Sequence, residues 1–322
     1  TTRWLNTLNY RVKNMRNQSL DILLGHEMFS SGGTRNFIRS EDFRVTITPE
    51  ELFANMTFGR TDRLETEDFT NSNRVSGFGR VDYQLFDKYL ATVTIRGDAS
   101  SKFSRENRLG IFPAVAVGWK LSSEEFLANV SWIKELKLRA SYGQTGNDRI
   151  VGTATQFLFV GSTNRGPGFG NVDNVYYTPS GSTLFNPNIK WETTINRNLG
   201  LDFSLFNTNV TGSLDFYKNT TKDLLLRSAI PSNTGFTTQW ANVGSTSNQG
   251  VELGINAPVL KGKDLLVNLN FNIGRNIAKI EALDGTNSRF FQSNWASTDL
   301  KDRGDYYFVV GGRVGDVYGY VT

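Results

Sequence analysis

The strongest constraint on what this chain can fold into is a two-residue alternation, sustained over segments longer than an ordinary soluble strand. Across 74–86 one parity reads Val75, Gly77, Gly79, Val81, Tyr83, Leu85, and the other reads Arg74, Ser76, Phe78, Arg80, Asp82, Gln84. The next segment sets Tyr89, Ala91, Val93 and Ile95 against Thr92, Thr94, Arg96 and Asp98. Across 109–121, Leu109, Ile111, Val115, Val117 and Trp119 oppose Gly110, Ala114, Gly118 and Lys120. The pattern returns at 136–143, 198–205, 210–216 and 251–257. It is cleanest at 265–273, where Leu265, Val267, Leu269, Phe271 and Ile273 alternate with Asn268, Asn270 and Asn272. Two weaker segments, near 3–13 and 19–30, precede all of these. Successive side chains of a strand point to opposite faces, so each segment has one apolar and one polar face.

Alternation predicts sheet, but a soluble sandwich alternates too, with its apolar face against a second sheet. Connection lengths separate the two. Short connections are expected at 13–19, 87–88, 206–208 and 260–264, with a helical-looking piece at Ser122–Ile133. Longer ones are expected at 31–72, 100–108, 146–189, 220–248 and after Ala282. Every other connection is therefore short, as in outer-membrane barrels with tight periplasmic turns and long extracellular loops. Segments such as 74–86 exceed the roughly 5–6 residues of soluble strands. They reach the about 9–11 that a tilted strand needs to cross a bilayer. Phe86, Tyr89, Trp119, Trp132 and Phe206 lie beside the short connections, where an aromatic girdle belongs. Pro113 and Pro258 remove ladder donors and predict a bulge or a strand end. The expected fold is all-β: an antiparallel transmembrane β-barrel segment of about ten strands. Its loops are too large for a small closed pore, and another strand begins near Val314–Val321, so a larger barrel is expected.

Composition is consistent with this. Mean hydropathy is −0.36, and no run reaches the roughly 18 apolar residues of a spanning helix. That argues against helical spans only, because alternating strands average to near neutrality. With 31 Gly and 23 Phe against 7 Pro, turn formers and β-formers dominate. There is no cysteine, hence no disulfide and no thiolate metal site. The net charge of +4 is spread without a basic block, which gives no footing for nucleic acid. A single histidine, His26, has only carboxylates with which to build a metal or catalytic cluster, so it reads as a rim or lumen residue. Glu124 and Glu125 follow Ser122 and Ser123 and read as the capped first turn of a helix, rather than as paired glycosidase acids. The glycine-rich Arg165–Gly170 lacks the Lys-Ser/Thr ending of a phosphate loop and reads as an extracellular loop. No catalytic, cofactor-binding or metal-binding residue is assigned, and the chain reads as a non-enzyme.

Two kinds of candidate site remain. Arg80 and Asp82 share the polar face with Arg96 and Asp98, as expected of a lumenal ion-pair lattice or of contacts to something held in the lumen. In the long loops, Phe236, Gln239, Trp240 and Asn242 form one set of aromatic and amide groups, and Phe169, Tyr176 and Tyr177 another. Such groups stack on sugar faces and hydrogen-bond hydroxyls. They serve equally well to pack their own loops or to meet a lid.

The runs Phe78-Gly-Arg-Val-Asp-Tyr83, Asp87-Lys-Tyr-Leu-Ala-Thr92 and Arg96-Gly-Asp-Ala-Ser-Ser-Lys-Phe103 carry a family resemblance. So do Leu136-Lys-Leu-Arg-Ala-Ser-Tyr-Gly143, Trp191-Glu-Thr-Thr194, Asn248-Gln-Gly-Val-Glu-Leu253 and Gly315-Asp-Val-Tyr-Gly-Tyr320. In collinear order over nearly the whole chain, they resemble the TonB-dependent transporters of the SusC/RagA family. The resemblance implies a plugged barrel of roughly 22 strands, of which residues 1–322 are part of the barrel domain. The plug, the TonB box and the remaining strands are then expected outside this sequence. It also implies TonB-dependent import of an oligosaccharide or peptide across the bacterial outer membrane, under a SusD-like surface lipoprotein, with no cofactor. The implied partners are outer-membrane lipid, that lipoprotein, TonB through the missing N-terminal region, and the glycan or peptide itself. Three rivals stand beside this reading: a siderophore-type receptor on the same barrel, a structural barrel subunit of a large envelope or secretion complex, and a soluble carbohydrate-binding sandwich.

Overall fold

A computed structural model describes residues 1–12, 16–43, 48–150, 152–155, 159–162, 169–172, 175–179, 182–206, 210–261, 265–285, 288–291 and 306–316. The first strands are β1 (Thr2–Val12), β2 (Gln18–Glu41), β3 (Arg60–Leu85), β4 (Tyr89–Ser100), β5 (Leu109–Lys120) and β6 (Ile133–Asn147). Short loop strands follow: β7 (Phe159–Ser162), β8 (Phe169–Val172), β9 (Val175–Pro179) and β10 (Thr183–Leu184). Then come β11 (Glu192–Leu205), β12 (Val210–Lys222), the loop strands β13 (Leu225–Ala229) and β14 (Thr238–Asn242), β15 (Ser245–Lys261) and β16 (Leu266–Ala282). A last hairpin joins β17 (Ser288–Phe291) to β18 (Tyr306–Val309).

One open sheet of 10 strands carries the architecture, in the order β1-β2-β3-β4-β5-β6-β11-β12-β15-β16. Its neighbours pair antiparallel, and the register keeps the two faces continuous. One apolar row runs from Tyr83 through Ala91, Val117, Ala140, Leu199 and Phe216 to Val251. The polar row beside it runs from Asp82 through Thr92, Ala116, Ser141, Asn198 and Tyr217 to Gly250. The apolar face is uncovered: Val93 is 54% exposed, Leu199 49% and Ile273 58%. A contiguous apolar surface of this extent needs a lipid solvent, and between its two edge strands the sheet satisfies its ladder hydrogen bonds internally, as lipid demands.

The antiparallel order places the connections at 13–17, 86–88, 121–132, 206–209 and 262–265 on one rim. Those at 42–59, 101–108, 148–191 and 223–244 lie on the other. The stretch 31–72, expected as a loop, is mostly strand. β2 has 24 residues and β3 has 26, and their pairing runs on to Glu41 opposite Arg60. The upper part of β2 is exposed on both of its faces, so the ladder persists where the apolar signal ends. At its tip a short helix, α1 (Pro49–Ala54), starts on a capping box between Thr48 and Glu51. Pro113 and Pro258 act as their chemistry requires. Pairing with β6 begins only after Pro113, and the register with β16 shifts between Pro258 and Leu260. Val314 lies in a turn, not a strand; residues 317–322 and 163–168 lie outside the described residues.

The short rim is stitched by main-chain bonds. Phe86 and Asp87 have φ of 52° and 54°, and Phe206 has 53°. Tight hairpins need this left-handed region, though a bulky side chain there costs about 1–2 kcal/mol. The amide of Phe86 donates to the Asn17 carbonyl at 2.7 Å, and that of Phe206 to the Trp132 carbonyl at 2.7 Å. Lys120 likewise donates to the Lys88 carbonyl at 2.8 Å. The Trp132 and Phe206 rings stack at 5.9 Å.

The helix expected at Ser122–Ile133 is instead two 3-10 turns, Leu121–Ser123 and Glu125–Leu127, and Glu124 makes no side-chain cap. Its carboxylate binds the rim. Lys88 Nζ donates to Oε2 at 2.9 Å, while Trp119 Nε1 and the Tyr89 hydroxyl donate to Oε1 at 2.9 and 2.8 Å. Those bonds, Lys88's first, pull the Glu124 pKa from its ordinary 4.5 down to about 2. A depressed carboxylate stabilises the fold fully above pH 4.5 and loses that contribution as pH falls towards about 2. Glu124→Gln is therefore expected to flatten the acid dependence of barrel unfolding, followed by tryptophan fluorescence, within that window. An unchanged acid slope in the variant would assign it to other carboxylates.

Candidate functional site on the lumenal wall

The polar face is organised by guanidinium groups bridging neighbouring strands. Arg96 grips Asp98 with both arms, Nε to Oδ2 at 2.8 Å and Nη2 to Oδ1 at 2.8 Å. The same Nη2 reaches Glu27 at 3.2 Å, and Arg3 closes on Glu27 at 2.6 Å. Ser76 donates to Asp98 at 2.5 Å. Glu27 and Asp98 are buried, at 5% and 6% exposure. This one network ties β1, β2, β3 and β4. The Phe78 ring lies beneath the Arg96 guanidinium at 5.4 Å, and it crosses β2 only because residue 25 is glycine. A Cβ there would fall 2.1 Å from the ring.

Arg80 pairs with Asp82 at 2.7 Å, and Asp82 also accepts from the Thr92 hydroxyl at 2.8 Å. The four lattice residues expected from the sequence thus form two pairs, Arg80–Asp82 and Arg96–Asp98. A third centre was not foreseen. Arg139 holds Asp202 at 2.8 Å through both Nε and Nη2, and reaches Asp215 at 3.1 Å. Gly200 makes the room, since a Cβ there would lie 2.7 Å from the guanidinium carbon. The cue was present: Arg139, Gly200, Asp202 and Asp215 all sit at polar parity on β6, β11 and β12. His26, expected at the rim or in the lumen, shares the outward apolar face with Leu24 and Met28, opposite Gly77. Among the described residues no cluster of His, Asp or Glu is placed to hold a metal.

At the extracellular mouth the connections fold over the lumenal side. Phe103, Phe112, Ile150, Ala154, Ile189 and Trp191 form a buried cluster. Phe112 stands opposite Arg96, at lumenal parity. Trp191 contacts the rings of Phe103 at 5.1 Å and Phe112 at 5.4 Å, and its indole donates to the Arg108 carbonyl at 2.9 Å.

Trp240 packs against this cluster. Gln239 donates to the Phe185 carbonyl at 3.2 Å. Asn242 accepts from the Lys190 amide and donates to the Lys190 carbonyl, both at 2.8 Å. These three side chains hold β14 onto residues 182–191. Phe236 is half-buried beyond the Ser232–Thr234 turn, with its amide bonded to the Thr234 hydroxyl at 3.3 Å. Phe169 and Tyr177 are register partners across β8 and β9, and Tyr176 faces Ser162 on β7. The two loop sets therefore belong to separate small sheets.

With this geometry in view, similarity to known proteins is informative. The family model described as TonB dependent receptor-like, beta-barrel, matches residues 1–320. TonB-dependent receptor SusC of Bacteroides thetaiotaomicron is 38% identical over 253 residues, covering 78% of this chain and 24% of that protein. TonB-dependent receptor P26 of Formosa agariphila is 35% identical over 262 residues, covering 80% of this chain and 26% of that protein. The chain spans about a quarter of the length of these relatives. Among solved structures, the RagAB peptide transporter superposes with a TM-score of 0.80 at 26% identity, covering 96% of this chain and 32% of the matched one. A polar wall, an uncovered apolar face and short turns on one rim are what such barrels require, and the chain belongs to the TonB dependent receptor-like β-barrel family of the outer membrane, in its SusC/RagA branch.

Proposed function

We propose that the whole protein imports an oligosaccharide or a peptide across the outer membrane, driven by TonB through a plug domain and covered by a SusD-like lipoprotein. The observation that carries this is the chemistry of the lumenal wall. Its charges are largely paired off among themselves, within β1–β4 and between β6, β11 and β12. On β11, β12 and β15, a hollow of about 520 Å³ is lined by Asn196, Asn198, Tyr217, Asn219 and Asn248, with Asp215 and Glu252 at its side. Amides donate and accept at once, so they suit sugar hydroxyls and peptide groups alike. RagAB is a peptide transporter, and that likeness keeps peptide beside glycan here. In the loops, cargo or lid would meet Phe236 on a frame set by Gln239, Trp240 and Asn242, with Phe169, Tyr176 and Tyr177 as the second candidate set. Among the described residues, β1 and the part of β16 before Ala278 leave one side of their ladders unpaired, and each such group costs several kcal/mol in hydrocarbon. In this reading, strands outside the sequence close them, and the plug lies outside it too.

The test is deletion of the full-length gene followed by uptake of labelled neutral oligosaccharide, labelled peptide and ferric siderophore. Loss of the first or second with the third unchanged is the expected result. Loss of siderophore uptake alone would move the protein to the siderophore receptors. Unchanged uptake of all three, with an envelope complex lost, would make it a structural barrel.

A further inference from the structure

We propose that the outward face carries a preformed site for one phospholipid of the inner leaflet, on β4, β5 and β6 just above the short rim. The wall there is not uniformly bulky. A hollow of about 720 Å³ opens over the small residues Ala91 and Ala140 and over Val117, which follow one another across the three strands. Tyr83, Tyr89 and Trp119 wall it. Its volume falls in the about 300–1,000 Å³ of small-molecule sites. The lining is apolar because each wall residue turns its polar atom elsewhere. The Tyr83 hydroxyl donates to Gln18 at 2.9 Å, and Tyr89 and Trp119 both donate to Glu124.

Two things identify the occupant. The hollow lies on the face bathed in lipid, so hydrocarbon is what meets it, and the short-turn rim places it in the periplasmic leaflet, where phospholipid is the available chain. The second is rigidity. Tyr89 and Trp119 stack at 6.4 Å and are clamped from below by one carboxylate, so the walls hold their shape without a ligand. Lys88, which precedes Tyr89 in the turn and shares its Glu124 partner, spends one of its three donors on that carboxylate. Its remaining N–H groups donate to a phosphodiester oxygen of the bound lipid. An acyl chain in the hollow with its phosphate on Lys88 is a bound lipid, distinct from the fluid annulus elsewhere on the face.

The experiment uses the full-length protein in phosphatidylethanolamine and phosphatidylglycerol vesicles containing a trace of diazirine-acyl phosphatidylethanolamine. After illumination, adducts are mapped by mass spectrometry. Label is expected to concentrate at Ala91, Val117 and Ala140, roughly tenfold above equally lipid-facing Leu199 and Ile273. Even labelling of all five would overturn the site. In a second arm, Ala91→Phe with Ala140→Leu fills the hollow and keeps the face apolar. Phospholipid co-purifying with the heat-modifiable barrel should fall roughly tenfold. Retention at the wild-type level in an assembled variant refutes the proposal, and if the variant does not assemble, the wild-type labelling pattern decides.

Discussion

Val93→Arg should remove most of the heat-resistant barrel from the outer membrane, while Thr92→Arg, one residue away, should leave assembly nearly unchanged. Val93 lies between Val81 and Val115 on the outward face and is 54% exposed. A guanidinium at such a site enters hydrocarbon and costs roughly 2–4 kcal/mol, a loss of more than tenfold in the folded ratio. Thr92 points the other way, hydrogen-bonded to Asp82 at 2.8 Å. An arginine there loses one neutral hydrogen bond but meets a carboxylate and water. Semi-native electrophoresis of outer-membrane fractions measures both. Equal losses, or a greater loss from Thr92→Arg, would mean that the apolar face is covered by protein.

Asp98→Ala is expected to cost about 3 kcal/mol in the urea unfolding of the detergent-folded barrel, at the lower end for breaking a buried pair. The carboxylate accepts both arms of Arg96 and the hydroxyl of Ser76, which is itself 1% exposed. Without it, Arg96 retains the 3.2 Å contact to Glu27 and the Phe78 ring beneath it, and Ser76 loses its acceptor. The estimate sits at the low end because the Arg96 side chain keeps 34% exposure and water relieves part of the loss. Asp82→Ala is the comparison. Its partner Arg80 is 50% exposed and Asp82 itself 34%, so the loss should stay within about 1 kcal/mol. If the two variants lose the same amount, burial does not distinguish the pairs, and the network around Glu27 contributes no more than a surface bridge.

Much of the sheet was legible because a bilayer imposes its pattern on every crossing segment. Leu265 to Ile273 alternate for the same reason that Tyr89 to Ile95 do. Where that solvent ends, the signal ends, which is why the upper parts of β2 and β3 read as a loop. The lattice pairs Arg80–Asp82 and Arg96–Asp98 lie two residues apart on one strand and could be read locally. Arg139 with Asp202 and Asp215 needed the register of three strands. Glu124 read as an acid in the first turn of a helix capped by Ser122 and Ser123, because its neighbours in sequence suggested one. Of its actual partners, Trp119 lies five residues away, but Lys88 and Tyr89 come from a different turn, and nothing local announces those two. Nor does any propensity mark Phe86 or Phe206 as left-handed, since glycine or asparagine is the usual occupant. Gln239, Trp240 and Asn242 had the composition of a cargo site, yet their polar atoms and rings hold the loop that carries them.

The stitching of the short rim has an evolutionary consequence. Bonds from the Phe86 amide to Asn17 and from the Phe206 amide to Trp132 join main-chain groups. No change of side chain deletes such a bond, proline excepted, because only proline lacks the donor. Mutational drift at these turns therefore leaves the connections between neighbouring hairpins in place. At the opposite rim the buried cluster of Phe103, Phe112 and Trp191 is made by side chains, so substitution there acts on the contact itself.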